Sequence, residues 1–124
     1  MKFKKGNRWR SSSGKIRYTK WRKVVFELNK RKHGMNRDYV CVKCRKRRKT
    51  TRVLHAHHIF SWDKYPKLRY ERGNGVVLCW KCHNKFHNTY KWDALENPRL
   101  LEEYIKSNNK SIKEYIDARY RNIK

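Results

Sequence analysis

Apolar residues recur at helical spacing near the start of the chain. Trp21, Val24, Val25 and Leu28 stand at i, i+3, i+4 and i+7, while Arg22, Lys23 and Lys30 fall elsewhere on the wheel. The spacing predicts a helix over residues 18–32 that buries one stripe in the core, shows cations on its other side, and ends at Gly34 and Asn36. A basic turn from Arg45 to Lys49 leads to Thr50, Thr51, Val53 and Leu54, which suit a strand. Residues 55–75 read as loop-rich and close on Gly73-Asn74-Gly75, a strong turn signal. Val76, Val77 and Leu78 make a second short strand, and a helix is predicted from Cys79 to about Tyr90. Asn97-Pro98 starts another helix for Leu100, Leu101, Tyr104 and Ile105. Ser107 to Lys110 break it. Ser111 with Glu114 makes a capping box for a last helix carrying Ile112, Tyr115, Ile116 and Tyr120. The chain thus divides into a flexible basic arm (1–17), a small α+β unit (18–90) and a helical C-terminal extension (91–124), with no internal repeat. The two last helices read as a hairpin packed on the core or, less simply, as a helix-turn-helix-like reader.

Charge changes the picture most. The 124 residues hold 35 Lys plus Arg against 10 Asp plus Glu, a formal net charge of +25. Such an excess calls for a polyanion, nucleic acid first and an anionic membrane surface second. Five Trp, eight Tyr and four Phe favour nucleic acid and are too many for a simple disordered basic tail. The arm supplies cations, and its Trp9 is a candidate for stacking on a base. The length excludes a large multi-domain enzyme. No apolar run approaches the ~20 residues of a membrane span, and no apolar segment follows the basic N-terminus as a secretory signal requires. An intracellular protein is expected.

Only 37% of residues are hydrophobic, so a small core working against strong self-repulsion needs a staple. Cys41-Val-Lys-Cys44 and Cys79-Trp-Lys-Cys82 offer one. Two such knuckles can present four thiolates tetrahedrally to one zinc at about 2.3 Å. The 34 residues between the pairs exceed the usual ~15–20 of a ribbon, so something is inserted between the knuckles. Two unrelated reduced pairs, or a redox CxxC, are the other readings; disulfides suit a secreted chain better. With four Cys the ion is structural, since no position is left for substrate.

The histidines cluster. His55, His57 and His58 precede Ile59, and His83 and His87 follow Cys82 at i and i+4, on one helix face. Two imidazoles so placed can ligate one metal, and the zinc staple would fix the start of the helix that carries them. His57 and His58, adjacent in an extended segment, point to opposite sides. One can face a metal while the other faces substrate. Phosphodiester hydrolysis needs that division, with a metal at the developing charge and a neutral imidazole taking a proton from water. The plainer reading is a surface His cluster on a basic protein.

The stretch Leu54-His-Ala-His57-His58-Ile59, then Asn74-Gly-Val-Val-Leu-Cys79, then Cys82-His83 and His87, resembles the HNH endonuclease family, whose fold is the ββα-metal unit. Trp21-Arg-Lys-Val-Val-Phe26 and Tyr65-Pro66-Lys-Leu-Arg69 also look like phage-encoded members. The likeness spans residues 18–90 and implies an α+β, zinc-stapled domain with flanking helices. It implies that His57 ligates a catalytic divalent ion such as Mg²⁺ or Mn²⁺, that His58 is the general base, that Asn74 holds the loop and orients the base, and that His83 is the helix ligand. His87 matches a second helix ligand of the branch resembling colicin nucleases and ranks below the other two. His55 matches no catalytic position. Arg45 departs from the pattern by standing where a glycine is common, as does the approach His33-Gly-Met-Asn-Arg-Asp38.

Taken together, the resemblance implies a metal-dependent endonuclease of homing type acting on double-stranded DNA, leaving 5′-phosphate and 3′-hydroxyl ends. A monomer would nick one strand, and a double-strand break would need a weak homodimer or a second visit. Arg69, Arg22, Lys23, Lys81 and Lys85 are candidate phosphate contacts. A non-catalytic zinc-ribbon nucleic-acid binder is the second reading, and a restriction or packaging-associated HNH nuclease the third. If the chain is phage-encoded, it is expected in a bacterial host's cytoplasm.

Overall fold

The computed structural model describes residues 12–33, 36–106 and 110–123. The first eleven residues with Trp9, the helix stop at Gly34 and the break at residues 107–109 lie outside them.

The first helix, α1, spans Ser12–Leu28, not 18–32. It starts inside the stretch assigned to the basic arm and stops early. It ends because Asn29 folds back, with its backbone N–H on the Phe26 carbonyl and its Nδ2 donating to the Val25 carbonyl at 2.6 Å. Trp21, Val25 and Phe26 are buried, whereas Leu28 is exposed. The buried stripe therefore gains Phe26 and loses Leu28, which sits at the turn out of the helix.

Beyond that turn the polar segments Lys30–His33 (β1) and Asn36–Val40 (β2) pair antiparallel, and Arg47–Arg48 (β3) adds a third strand inside the expected basic turn. Thr50 to Val53 are turn rather than strand, and the next strand, β4, covers only Leu54–His57. It pairs antiparallel with β5, Val76–Cys79, setting His57 opposite Val76 and Leu54 opposite Cys79. β5 is buried throughout and leads directly into α2, Trp80–Tyr90. Strand, strand and helix make the ββα unit. The loop between the strands contains a short 3₁₀ turn at Pro66–Leu68.

The tail folds as α3 (Asp93–Glu96), α4 (Arg99–Ile105) and α5 (Lys110–Ile123). Lys110 is already helical, so Ser111 lies inside the first turn and not at the cap. Leu101, Tyr104, Ile105, Ile112 and Ile116 join Trp21, Phe60, Leu78 and Phe86 in one buried cluster. That packing favours the hairpin over a protruding reader. The Glu71 carboxylate accepts from Tyr115 Oη at 2.5 Å and from Arg119 Nε at 2.7 Å, tying α5 to the loop between the strands.

Gly75 earns its place by close approach. A Cβ there would lie 2.5 Å from Val25 Cγ2 and 2.9 Å from the Trp21 ring, so α1 can rest on the start of β5 only over a glycine.

Candidate active site and metal centres

The two knuckles meet at one end of the ββα unit. The first docks on β5 through the Val42 N–H, which donates to the Val77 carbonyl at 2.8 Å. Cys79 caps α2 and Cys82 sits in its first turn. The four sulfurs lie within 4.8 Å of one another, with Cys44 and Cys79 Sγ 3.8 Å apart. Four sulfurs arranged tetrahedrally at about 2.3 Å from one ion stand about 3.8 Å apart. The residues therefore fit zinc. Burial raises the Cys41 thiol, but backbone donors at Cys44, Cys79 and Lys43 outweigh it and pull it below its ordinary value. Burial, then the neighbouring sulfurs, push Cys82 up. Thiolates crowded in this way repel one another until a cation joins them.

The knuckle also explains Arg45. Its φ is +68° and its N–H donates to the Cys41 carbonyl at 2.9 Å. This is the left-handed turn where glycine is the unstrained residue. The signal was the departure itself.

The second cluster lies further along α2. His57 from β4 and His83 and His87 from α2 place their ligand nitrogens within 4.8 Å of one another, with His83 and His87 Nε2 3.2 Å apart. Two imidazole nitrogens bound at about 2.1 Å to one ion would be separated by roughly 3.0–3.4 Å. The trio fits a divalent ion and leaves coordination positions open, unlike the four cysteines. Burial, then each other's charge, holds His57 well below the usual histidine range. Burial, then His87 and His55, brings His83 to about 4, and burial, then His55, lowers His87. All three favour the neutral form that metal binding requires.

His57 and His58 do face opposite sides. The His57 ring meets His83, His87 and Phe86. The His58 ring stacks on Trp21 at 3.8 Å and 7° and meets the edge of Trp62. His58 Nε2 lies 2.9 Å from the Arg69 carbonyl. A carbonyl can only accept, so Nε2 carries the proton and Nδ1 is left as an acceptor. Burial is the main cause that lowers His58 to about 4, with the bond to the Arg69 carbonyl opposing it and the Arg69 charge adding to it.

Asn74 is fully buried and spends its whole amide on the loop. Its Oδ1 accepts from the Phe60 N–H at 2.7 Å, and its Nδ2 donates to the carbonyls of Phe60 and Leu68 at 3.1 and 2.9 Å. These bonds clamp the strand exit that carries His58 to the segment whose next carbonyl, at Arg69, holds the imidazole.

Two further residues, Trp21 and His55, take part in the site. Trp21 belongs to the core, but it also stacks on His58 and anchors its Nε1–H on the Glu71 carbonyl at 3.0 Å. His55 stacks on His83 at 4.5 Å and 19°; its position two residues before His57, on the same strand face, was the available signal.

The candidate phosphate contacts are scattered. Lys23, Lys81 and Lys85 are exposed, and the Arg22 guanidinium lies over the Phe26 ring. Arg69 is nearest the base, but its Nε donates to the Trp62 carbonyl at 2.7 Å and its guanidinium lies over the Trp62 ring. Among the described residues no helix is long and apolar enough to cross a membrane.

Residues 41–89 match the family model for HNH endonuclease. Searches among curated proteins and among solved structures found no match. The matched stretch takes in both knuckles, β4, β5 and nearly all of α2, and so both clusters of metal-ligating side chains. Over residues 41–89, then, the chain is similar to an HNH endonuclease domain.

Proposed function

We propose that this protein is a metal-dependent DNA endonuclease that hydrolyses one phosphodiester bond per active site, so that a monomer nicks duplex DNA, in the manner of a homing enzyme. The observation that carries the proposal is the split between two adjacent histidines. His57 joins His83 and His87, and His58 looks the other way with one nitrogen pinned and the other free to accept. A non-catalytic zinc-ribbon binder has no use for that arrangement.

A divalent ion at the trio would stabilise charge on the scissile phosphate and the leaving oxygen. His58 Nδ1 takes a proton from the attacking water. Its low value keeps the free imidazole neutral, and a phosphate anion beside it raises its basicity. Trp21 and the Arg69 carbonyl fix its plane and tautomer. Asn74 acts through the loop and touches no reacting atom. Lys23, Lys81 and Lys85, with the rest of the +25 charge, hold the duplex backbone.

The test is conversion of supercoiled plasmid to open circles with and without added Mg²⁺ or Mn²⁺. The wild type is expected to nick only with the ion. His58→Ala is expected to be slower by about 10²–10⁴-fold, the usual worth of a positioned base, with DNA binding little changed. Nicking by His58→Ala at the wild-type rate would remove it as the base.

A further inference from the structure

The far end of α2 opens onto a surface that this chemistry leaves unused. An open cleft of about 400 Å³ is lined by His87, Asn88, Lys91 and Trp92, within the roughly 300–1,000 Å³ typical of small-ligand sites. Trp92 is 80% exposed. Among the described residues no ring contact or hydrogen bond of its side chain is found. Trp21 and Trp62, by contrast, are each held by neighbouring rings. Lys91, with φ +50° and its N–H on the His87 carbonyl at 2.9 Å, turns the chain out of the helix. A non-glycine residue takes that conformation at a cost. The turn sets Lys91 and Trp92 in solvent beside a candidate metal ligand. His87 is shared by both places, since its Nε2 faces His83 while the residue also lines the cleft.

We propose that this cleft is a base-stacking subsite, in which an unpaired nucleobase lies on the Trp92 indole beside the phosphate handled by the histidine trio. Lys91 offers a cation to the adjoining phosphate, and Asn88 offers an amide to the base edge. A base is joined to its phosphate through a single sugar, so a strand whose phosphate sits at His57, His83 and His87 brings a base to the cleft. Within a duplex both faces of a base are covered by stacked neighbours and only the edges show. A flat, exposed indole can therefore stack only on a base that is unpaired. The proposal rests on the nuclease reading and adds a substrate class to it, DNA with an unpaired nucleotide next to the cut.

The test measures binding by the full-length, zinc-loaded protein without added divalent ion, so that it does not depend on cleavage. The probes are an end-labelled oligo-dT strand and a blunt duplex of equal length, read by fluorescence anisotropy. Base–aromatic stacking is worth about 1–3 kcal/mol per base, or roughly 5- to 150-fold in Kd. Trp92→Ala is expected to weaken the single strand at least fivefold relative to the duplex, and Trp92→Phe to restore most of that loss. Far-ultraviolet circular dichroism and zinc content show that both variants fold. A change in the single-strand to duplex ratio below fivefold, whether both affinities fall together or neither moves, overturns the proposal. A wild type that nicks plasmid while Trp92→Ala leaves the ratio unmoved discards the subsite and keeps the nuclease. A ratio that moves in a protein that never nicks keeps the subsite and discards the nuclease.

Discussion

One helix, α2, serves two metal-competent clusters, and their difference separates stability from chemistry. The cysteine cluster joins two tight knuckles distant in sequence and uses every ligand position, with Cys41 and Cys79 buried. The histidine cluster draws on one strand and one helix that already pack together, supplies three ligands, and stands beside His58, whose neutral imidazole faces away. Cys82 and His83 are neighbours in sequence, so the closed site sets the position of the open one. Removing the first should take the second with it, whereas emptying the second should leave the first intact.

The largest expected effect follows from breaking the closed site. In Cys79→Ser the zinc-linked folding energy, on the order of 10 kcal/mol in small zinc domains, is largely lost. The chain should then lose its helical circular dichroism and its zinc together. A folded variant with one zinc per chain would show that the cysteines do not staple the domain.

Asn74→Ala tests the link between the loop and the base. It leaves the Phe60 N–H and carbonyl without the amide's bonds, and leaves the Leu68 carbonyl only the Glu71 N–H at 3.2 Å. Each of the two Phe60 groups costs about 1–3 kcal/mol, so a loss of about 2 kcal/mol or more is expected by urea denaturation. The ion affinity of the trio should change little by comparison, since no trio ligand bonds to Asn74. Equal stability of the variant would mean that the amide clamps nothing.

The smallest effect belongs to Arg45→Gly. A left-handed residue with a Cβ costs about 1–2 kcal/mol, and glycine returns part of that by gaining freedom in the unfolded chain. The variant should gain up to about 1 kcal/mol of unfolding free energy in denaturant titration, with nicking unchanged. A loss of stability would show that the Arg45 side chain contributes more than its backbone strain takes away.

What the sequence disclosed follows the range of the interactions. Cys41 with Cys44, Cys79 with Cys82, and His83 with His87 are pairs whose geometry is local, and all were legible from spacing. The opposite facing of His57 and His58 was legible because strand side chains alternate. The sheet of β1, β2 and β3 was hidden, because Lys30–His33 and Asn36–Val40 carry few apolar residues and no alternation of apolar with polar positions. The early end of α1 depends on the Asn29 side chain, which competes with the helix for the Val25 carbonyl. The Trp21–His58 stack joins residues 37 apart in the chain, and an indole at a core position gives no sign of its partner. Gly75 reads as a turn residue in the sequence, but it is required by the approach of α1.

The most direct test of the division between the two clusters is stepwise chelation, followed simultaneously by plasmid nicking, circular dichroism and zinc content. At mild chelator the account predicts that nicking stops while the fold and one zinc per chain remain, and that added Mg²⁺ or Mn²⁺ restores nicking. Nicking that survived removal of every ion but the zinc, or that disappeared only when the fold did, would contradict it.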